Sequence, residues 1–474
     1  MSEASLERAL GFSKPFFLGI GGSGMSSLAH ILSDAGLSVT GYDGKKSQVT
    51  ETLEKKGVRI FSSLSEIPDE EIYDAAIYSS AIRLDSHPIA SHFKKKGIRF
   101  FHRSEVLHSC FQHLTCIAVA GSHGKTTTTA MTAHILNDLG YSPSLMVGGD
   151  VAFLGGIGGR FSQGKFGVFE SDESDGTFLK HKAEFRILTN IDEDHLDFYK
   201  TREKLLNAFA EFITNTSGKI VLDLDNIGIQ DCLSQIQDKT RIVGFTQVSE
   251  EDWNSQGING RHADLGLDQL VYYKIVNKFL IFRIGKEEFS FSSRFPGRHY
   301  LTNSLAAVLA TQCVGVPADQ AARSVSQYAG VKRRLEYIGS KHGVEIYDDY
   351  GHHPTEVKAV LSSVRELSQG SGKAVILFQP HRYTRTQNLY KDFAESLDLG
   401  ETVLLLPIYS AGEDPISGVS SELIANEMKK KPNLLSGNLK SDIPILKKIL
   451  SPGDVFVSLG AGNVRDWGLE FLNS

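Results

Sequence analysis

The string Gly121-Ser122-His123-Gly124-Lys125-Thr126, set directly behind the apolar run Leu114 to Ala120, constrains this chain more than any other feature. Thr127, Thr128 and Thr129 follow it, and then Met131, Ile135, Leu136 and Leu139 recur at near-helical spacing. An apolar strand, a tight glycine loop and an amphipathic helix form a phosphate cradle. Loop N–H groups and the helix N-terminus hold anionic oxygens, Lys125 neutralises β/γ-phosphates, and the Thr126 hydroxyl suits Mg²⁺. Gly124 admits the phosphates closely, where a Cβ would hinder them. Val119 stands where the general pattern has its first Gly, and a glycine-rich turn with an exposed Lys is the plainer alternative. The favoured reading is a nucleoside triphosphate site.

A chain of 474 residues is too long for one ordinary core, so two to four domains are expected. A net charge of −6 gives no electrostatic reason to expect nucleic acid or an acidic membrane as partner. The short basic runs at 93–97 and 429–431 read as solvated helix ends. Cys110, Cys116, Cys232 and Cys313 show no CxxC spacing and read as reduced, mostly buried thiols. Residues 1–14 carry two Glu and no apolar core of a signal peptide, and no stretch approaches ~18 consecutive apolar residues. A cytoplasmic protein without membrane insertion is expected, either monomer or homodimer.

Apolar runs alternate with helical patterns at both ends of the chain. Segments 16–20, 39–42 and 75–79 read as strands, with helices over 25–35 and 89–96. A second unit starts near Ile117 and holds strands at 166–169, 186–190 and 219–224, with a helix over 202–214. Within it, 271–276 and 279–284 flank Asn277-Lys278 as a hairpin. After a helix over 300–314, strands at 374–378, 402–406 and 454–459 alternate with helices such as 355–367. Three α/β units with parallel sheets are therefore expected, 1–113, 114–329 and 330–474.

Five further strings could carry chemistry. Gly19-Ile20-Gly21-Gly22-Ser23-Gly24 between a strand and a helix, with Asp43 about one βαβ step later, fits a dinucleotide fingerprint. Alone it predicts a nicotinamide enzyme, yet any nucleotide diphosphate meets the same physics, and a ligand-free βα turn is the plain alternative. Glu170-Ser171-Asp172-Glu173-Ser174-Asp175 follows a strand, and Glu170 is the best-placed Mg²⁺ ligand; Glu173 and Asp175 read equally well as a solvated acidic loop. His195 in Thr189 to Asp197 is a metal ligand, a general base or a surface His among carboxylates. Asp348 to Pro354 ends a strand and opens a helix, and in Phe378 to Thr386 two Arg beside His381 make a carboxylate or phosphate clamp or a surface helix start.

Taken in chain order, GIGGSGM at 19–25, GSHGKTTTT at 121–129, ESDESD at 170–175, TNIDEDHLDFY at 189–199 and FPGRHYLTN at 295–303 resemble the Mur ligase family. GVKRRLE at 330–336, YDDYGHHPTE at 347–356, FQPHRYTRT at 378–386 and GAGN at 460–463 extend the resemblance over essentially the whole chain. The resemblance implies three domains: a Rossmann-like domain for a UDP-sugar, a central P-loop ATPase domain and a Rossmann-like C-terminal domain. It implies a cell-wall ligase that joins L-alanine to UDP-N-acetylmuramate with ATP, through an acyl phosphate, and with two Mg²⁺ ions. Closure around the site is expected to exclude water.

Carried over residue by residue, the resemblance assigns Gly121, Ser122, His123, Gly124, Lys125, Thr126, Thr127, His299, Asn303, Arg334 and Asp349 to ATP. His299 and Asn303 would lie by adenine, Asp349 by ribose and Arg334 by the γ-phosphate, with Lys125, His195 and Arg334 catalytic. Thr126 and Glu170 would hold one Mg²⁺ and His195 a second. Gly21, Gly22, Ser23, Gly24, Met25, Ser26 and Asp43 would receive the UDP-sugar; His381, Arg382 and Arg385 would receive the alanine carboxylate. In the family an Asn commonly follows the His of the fifth string, where this chain has Tyr300. The rivals are a ligase that attaches a whole tripeptide, a folate-type polyglutamate ligase, a nicotinamide oxidoreductase and a regulatory nucleotide-binding module without catalysis.

Overall fold

The computed structural model describes residues 3–254, 262–368 and 372–474. Phe16, Phe17 and Leu18 are fully buried, as expected for a strand covered on both faces by crossover helices. They belong to β1 (Pro15–Leu18), which lies in a parallel sheet with β2 (Thr40–Tyr42), β3 (Arg59–Phe61), β4 (Ala75–Tyr78) and β5 (Arg99–His102). The order β3-β2-β1-β4-β5 reverses direction beside β1. The Gly19–Gly22 turn therefore opens at the switch point, the usual ligand crevice of such sheets.

The second sheet has ten strands. They are β6 (Thr115–Ala120), β7 (Ser144–Val151), β8 (Ile157–Arg160), β9 (Phe166–Glu170), β10 (Phe185–Leu188), β11 (Ile220–Asp223), β12 (Ile242–Gln247), β13 (Gln269–Val276), β14 (Phe279–Ile284) and β15 (Glu287–Ser292). Their order is β15-β14-β13-β12-β11-β10-β6-β9-β7-β8, so β6 sits centrally with β9 and β10 parallel on either side. The ends of these three strands carry the glycine loop, the acidic string and the Thr189 string. The expected hairpin is present, with Val276 opposite Phe279 and Asn277 at φ 55°. Sequence patterning missed β7, β8, β12 and β15 of this sheet, and β3 and β5 of the first.

The glycines of β8 have a packing reason. The helix Ser23–Asp34 lies directly on β7 and β8, and a Cβ on Gly159 would run into the Ser27 carbonyl. A Cβ on Gly158 would meet Val147 O at 2.6 Å. Ser27 Oγ donates to Val147 O at 2.9 Å. Leu28, Ile31 and Leu32 of this helix share one core with Met146 and Phe169 of the second sheet. The first two sheets accordingly form one compact unit, residues 1–293 with 301–329.

Residues 294–300 and 330–474 form the other compact unit. Its six-stranded sheet comprises β16 (Glu336–Lys341), β17 (Val344–Asp349), β18 (Ala374–Phe378), β19 (Thr402–Leu405), β20 (Asn433–Leu434) and β21 (Val455–Leu459), ordered β16-β17-β21-β18-β19-β20. Only β16 runs antiparallel. The helix Pro354–Leu367 starts on its proline, whose missing N–H costs nothing there. Among the described residues no helix is long and apolar enough to cross a membrane.

Candidate active site

The glycine loop is clamped from the β10 side. Thr189 Oγ1 donates to His123 O at 2.6 Å, and Asn190 pairs with both the His123 N–H and C=O at 2.9 Å. Ser122 Oγ accepts from Asp192 N at 2.8 Å, and His123 Nε2 lies 3.1 Å from Asp192 Oδ2. Gly121, at φ 130°, leaves no room for a side chain: a Cβ would collide with Thr189 Oγ1 and lie 2.9 Å from Asn190 O. Gly124, at φ 81°, caps the helix Lys125–Asp138, with the Asn303 amide 3.0 Å from where its Cβ would be. Asn303, expected by the adenine, lies against the glycine loop.

Lys125 is the charge centre. Its Nζ donates to Gly121 O at 2.7 Å, Ser122 O at 3.3 Å and Glu173 Oε1 at 2.8 Å. Burial works against the ammonium, but Glu173, Asp172 and Glu170 outweigh it and hold Lys125 above the ordinary lysine range. Thr126 Oγ1 stands 3.1 Å from both oxygens of Glu170, whose Oε2 also accepts from Gly148 N at 2.9 Å. Thr127 is buried in the first turn of the same helix.

Glu173 is the main residue that composition left undecided. It is 0 % exposed, so it belongs to no solvated loop. Burial raises its carboxyl above the usual range, against the opposing pull of Lys125. Its Oε2 has no hydrogen-bond partner, while Tyr199 OH donates to its main-chain oxygen at 2.6 Å. His195, in the left-handed region at φ 57°, places Nε2 3.7 Å from Glu173 Oε1 and 3.6 Å from Asp194 Oδ2. Asp175 is half-buried, accepting from Thr177 N at 3.0 Å and from Ser80 Oγ. Asp172 pairs with Arg103 at 3.2 Å, a residue the motif reading did not single out.

At the first glycine turn, Gly21 N donates to Asp43 Oδ2 at 2.8 Å, so Asp43 braces the turn itself. Gly22 is the N-cap of the helix Ser23–Asp34, and no side chain caps that helix. A Cβ on Gly24 would run into Arg103 Nη1. Met25 lies in the core and the Ser26 hydroxyl donates to Ser23 O at 3.0 Å; what they offer a ligand is main chain.

In the second compact unit, Asp349 is 5 % exposed, and its oxygens accept from Leu335 N and Gly351 N, each at 2.7 Å. Burial lifts its carboxyl to about 6. Arg334 Nη1 lies 3.9 Å from Glu356 Oε1. The Tyr300 hydroxyl donates to Arg334 O at 2.9 Å, and its ring stacks on Phe295 at 4.9 Å. Tyr300 therefore does a different job from an adenine-facing amide. Partly buried His299 is pushed down to about 4 by desolvation.

His381, Arg382 and Arg385 come together at the start of the helix Tyr383–Leu397. The His381 ring stacks on Tyr409 at 5.7 Å and lies 5.6 Å from the His352 ring. Burial, then the neighbouring His352 and arginines, lowers His381 to about 4, so it is neutral near pH 7. Its Nδ1 and the Gln379 Oε1 are buried without partners. Arg382 Nε donates to Glu413 Oε1 at 2.6 Å. A neutral imidazole and two orphan polar atoms thus lie at the start of this helix, beside the Arg382 guanidinium. Gln379 and His352 lie within two of the quoted strings but were given no role there, and Glu413 lies outside them.

Family models match three successive segments: "Mur ligase family, catalytic domain" over 16–114, "Mur ligase middle domain" over 119–311 and "Mur ligase, glutamate ligase domain" over 333–462. UDP-N-acetylmuramate–L-alanine ligase of Dictyoglomus turgidum is 36 % identical, over 96 % of this chain and 96 % of its own. The enzyme of the same name from Bdellovibrio bacteriovorus is 37 % identical, over 96 % of this chain and 98 % of its own. A crystal structure of UDP-N-acetylmuramate–alanine ligase from Thermotoga maritima shares the fold with a TM-score of 0.78 and 24 % identity, covering 97 % of this chain and 98 % of that one.

Proposed function

The chain belongs to the Mur ligase family, and from that premise we propose that it joins L-alanine to the carboxylate of UDP-N-acetylmuramate at the expense of ATP. The observation that carries this reading is near-full-length identity of 36–37 % to relatives bearing that activity in their names. A free carboxylate is a poor acyl donor. In the proposed sequence its oxygen attacks the γ-phosphorus, ADP departs, and a mixed anhydride forms. The amine of L-alanine then attacks the acyl carbon, loses a proton, and phosphate leaves with the former carboxylate oxygen.

Lys125, released from its loop carbonyls, takes the β/γ-phosphates; Arg334 stabilises charge on the transferring phosphoryl. Loop N–H groups at Gly121–Thr127 seat the phosphates, with Asn303 and His299 assigned to adenine and Asp349 to ribose. The Thr126–Glu170 pair offers hard oxygen donors, and Glu173, with its orphan Oε2 and with Oε1 3.7 Å from His195, offers a second set, so both fit Mg²⁺. Two such ions, when bound, supply charge neutralisation at the phosphates. Gly21–Ser26, braced by Asp43, are assigned to the UDP-sugar diphosphate, and His381, Arg382 and Arg385 to the alanine carboxylate. A cytoplasmic monomer or homodimer completes the proposal.

A coupled ADP-release assay tests it. ADP should appear at full rate only when ATP, UDP-N-acetylmuramate, L-alanine and a divalent ion are all present. Faster turnover with a tripeptide than with L-alanine would replace this reading by that of the tripeptide ligase, and no ADP under any combination would remove it.

A further inference from the structure

The string GVKRRLE holds two consecutive arginines with different partners: Arg333 bonds to the GAGN loop, and Arg334 pairs with Glu356. We infer that Arg333 is a positioning residue that fixes Arg334 relative to the amino-acid pocket; this rests on the roles proposed above for Arg334 and for His381, Arg382 and Arg385.

Arg333 has φ 59°, a left-handed conformation disfavoured for a residue with a Cβ. Its main chain is held on both sides: the N–H donates to Glu336 Oε2 at 2.8 Å, and the carbonyl accepts from Tyr350 N at 2.7 Å. The guanidinium, three-quarters buried, bonds inward through Nε and Nη2. Nε donates to Asp348 Oδ2 at 3.2 Å, and Nη2 donates to Gly460 O at 2.6 Å and Gly462 O at 3.0 Å. Asp348 is 0 % exposed and also accepts from Ser458 Oγ at 2.6 Å.

The two carbonyls belong to the GAGN loop, which walls the amino-acid pocket. A Cβ on Gly462 would run into Gln379 Oε1 and lie 2.7 Å from Tyr409 Cγ, and Tyr409 is the ring that stacks on His381. A planar fork can meet one carboxylate and two carbonyls at once; an ammonium of similar length lacks that geometry. With residue 333 anchored to this loop, the following peptide leaves in a set direction. It is pinned again where Tyr300 OH donates to Arg334 O at 2.9 Å and Leu335 N donates to Asp349 at 2.7 Å. The Tyr350 ring lies within reach of both side chains, with the Arg333 guanidinium 5.0 Å and the Arg334 guanidinium 5.3 Å from its centre, and Arg334 Nη1 turns to Glu356 at 3.9 Å. Arg465 gives an internal control. It pairs with the same Asp348, at 3.0 Å, and with Glu336, at 3.0 Å, but its side chain makes no hydrogen bond to the GAGN loop.

The test compares Arg333→Lys, Arg465→Lys and Tyr300→Phe in the full chain, with kcat, the KM of each substrate and the melting temperature as readouts. Arg333→Lys should lower kcat at least about tenfold and raise the KM for L-alanine several-fold, leaving the KM for UDP-N-acetylmuramate unchanged. Arg465→Lys should lower the melting temperature and keep kcat and every KM within about twofold of the parent. Tyr300→Phe, which removes only the hydroxyl on the Arg334 carbonyl, should lower kcat several-fold with melting unchanged. If Arg333→Lys and Arg465→Lys lose stability alike and match in kcat and KM, the positioning role is wrong. If Arg333→Lys does not fold, an unaltered kcat in Tyr300→Phe overturns it. A parent protein inactive with L-alanine removes the functional reading and this inference with it.

Discussion

Lys125→Ala should reduce ADP release by on the order of 10³-fold, the scale seen when a group that stabilises developing phosphate or oxyanion charge is removed. The geometry adds a second consequence. Lys125 is the partner of Glu173, and Glu173 is fully buried. Removing one member of a buried pair leaves an uncompensated charge, a loss of about 3–5 kcal/mol. The single variant should therefore be both inactive and thermally weakened. Lys125→Ala combined with Glu173→Gln should regain much of the melting temperature, because a neutral amide tolerates burial better, and should regain none of the activity. Coupled ADP release and thermal melting on the same samples separate the two effects. Near-normal turnover in Lys125→Ala would take the glycine loop out of the mechanism.

Arg382→Ala should raise the KM for L-alanine about 10- to 100-fold, equivalent to losing one charged hydrogen-bonding partner of about 1.5–3 kcal/mol. The KM for ATP should stay within about twofold. Arg382 is also the partner of Glu413, which accepts from Thr384 N at 3.1 Å and holds the first turn of the same helix. Burial tends to raise Glu413, but the bonds from Thr384 and Arg382 outweigh it and keep the carboxyl below its usual range. In Arg382→Ala the Glu413 charge loses its guanidinium and is left near the incoming carboxylate. Adding Glu413→Gln to Arg382→Ala should thus recover part of the lost affinity. Steady-state kinetics with varied L-alanine check this, and an unchanged L-alanine KM in Arg382→Ala would move the amino-acid pocket elsewhere.

Much of this was legible in the sequence because ligand loops follow apolar strands. The runs at Phe16–Leu18 and Cys116–Ala120 are unbroken and buried on both faces, so their strand character and the glycine turns behind them read directly. The Asn277-Lys278 hairpin was legible for the same local reason. What was not legible depends on distant neighbours. Ile157–Arg160 looks like a loop because two of its four residues are glycine, and those glycines exist because Ser27, over a hundred residues earlier, lies against them. Glu173 and Asp175 have the same composition as a solvated run; only packing makes the first a buried counter-ion and leaves the second half-exposed. The pairing of Arg333 with Gly460 and Gly462 joins segments about 130 residues apart, beyond any periodicity.

In the proposed reaction, phosphoryl transfer activates the sugar's carboxylate before the amine attacks. It is tested most directly with UDP-N-acetylmuramate carrying ¹⁸O in both carboxylate oxygens. One labelled oxygen should appear in the inorganic phosphate released for each amide formed, because the attacking oxygen leaves with the phosphorus. Unlabelled phosphate at full amide yield would mean that the carboxylate never reached the γ-phosphorus, and would contradict the account.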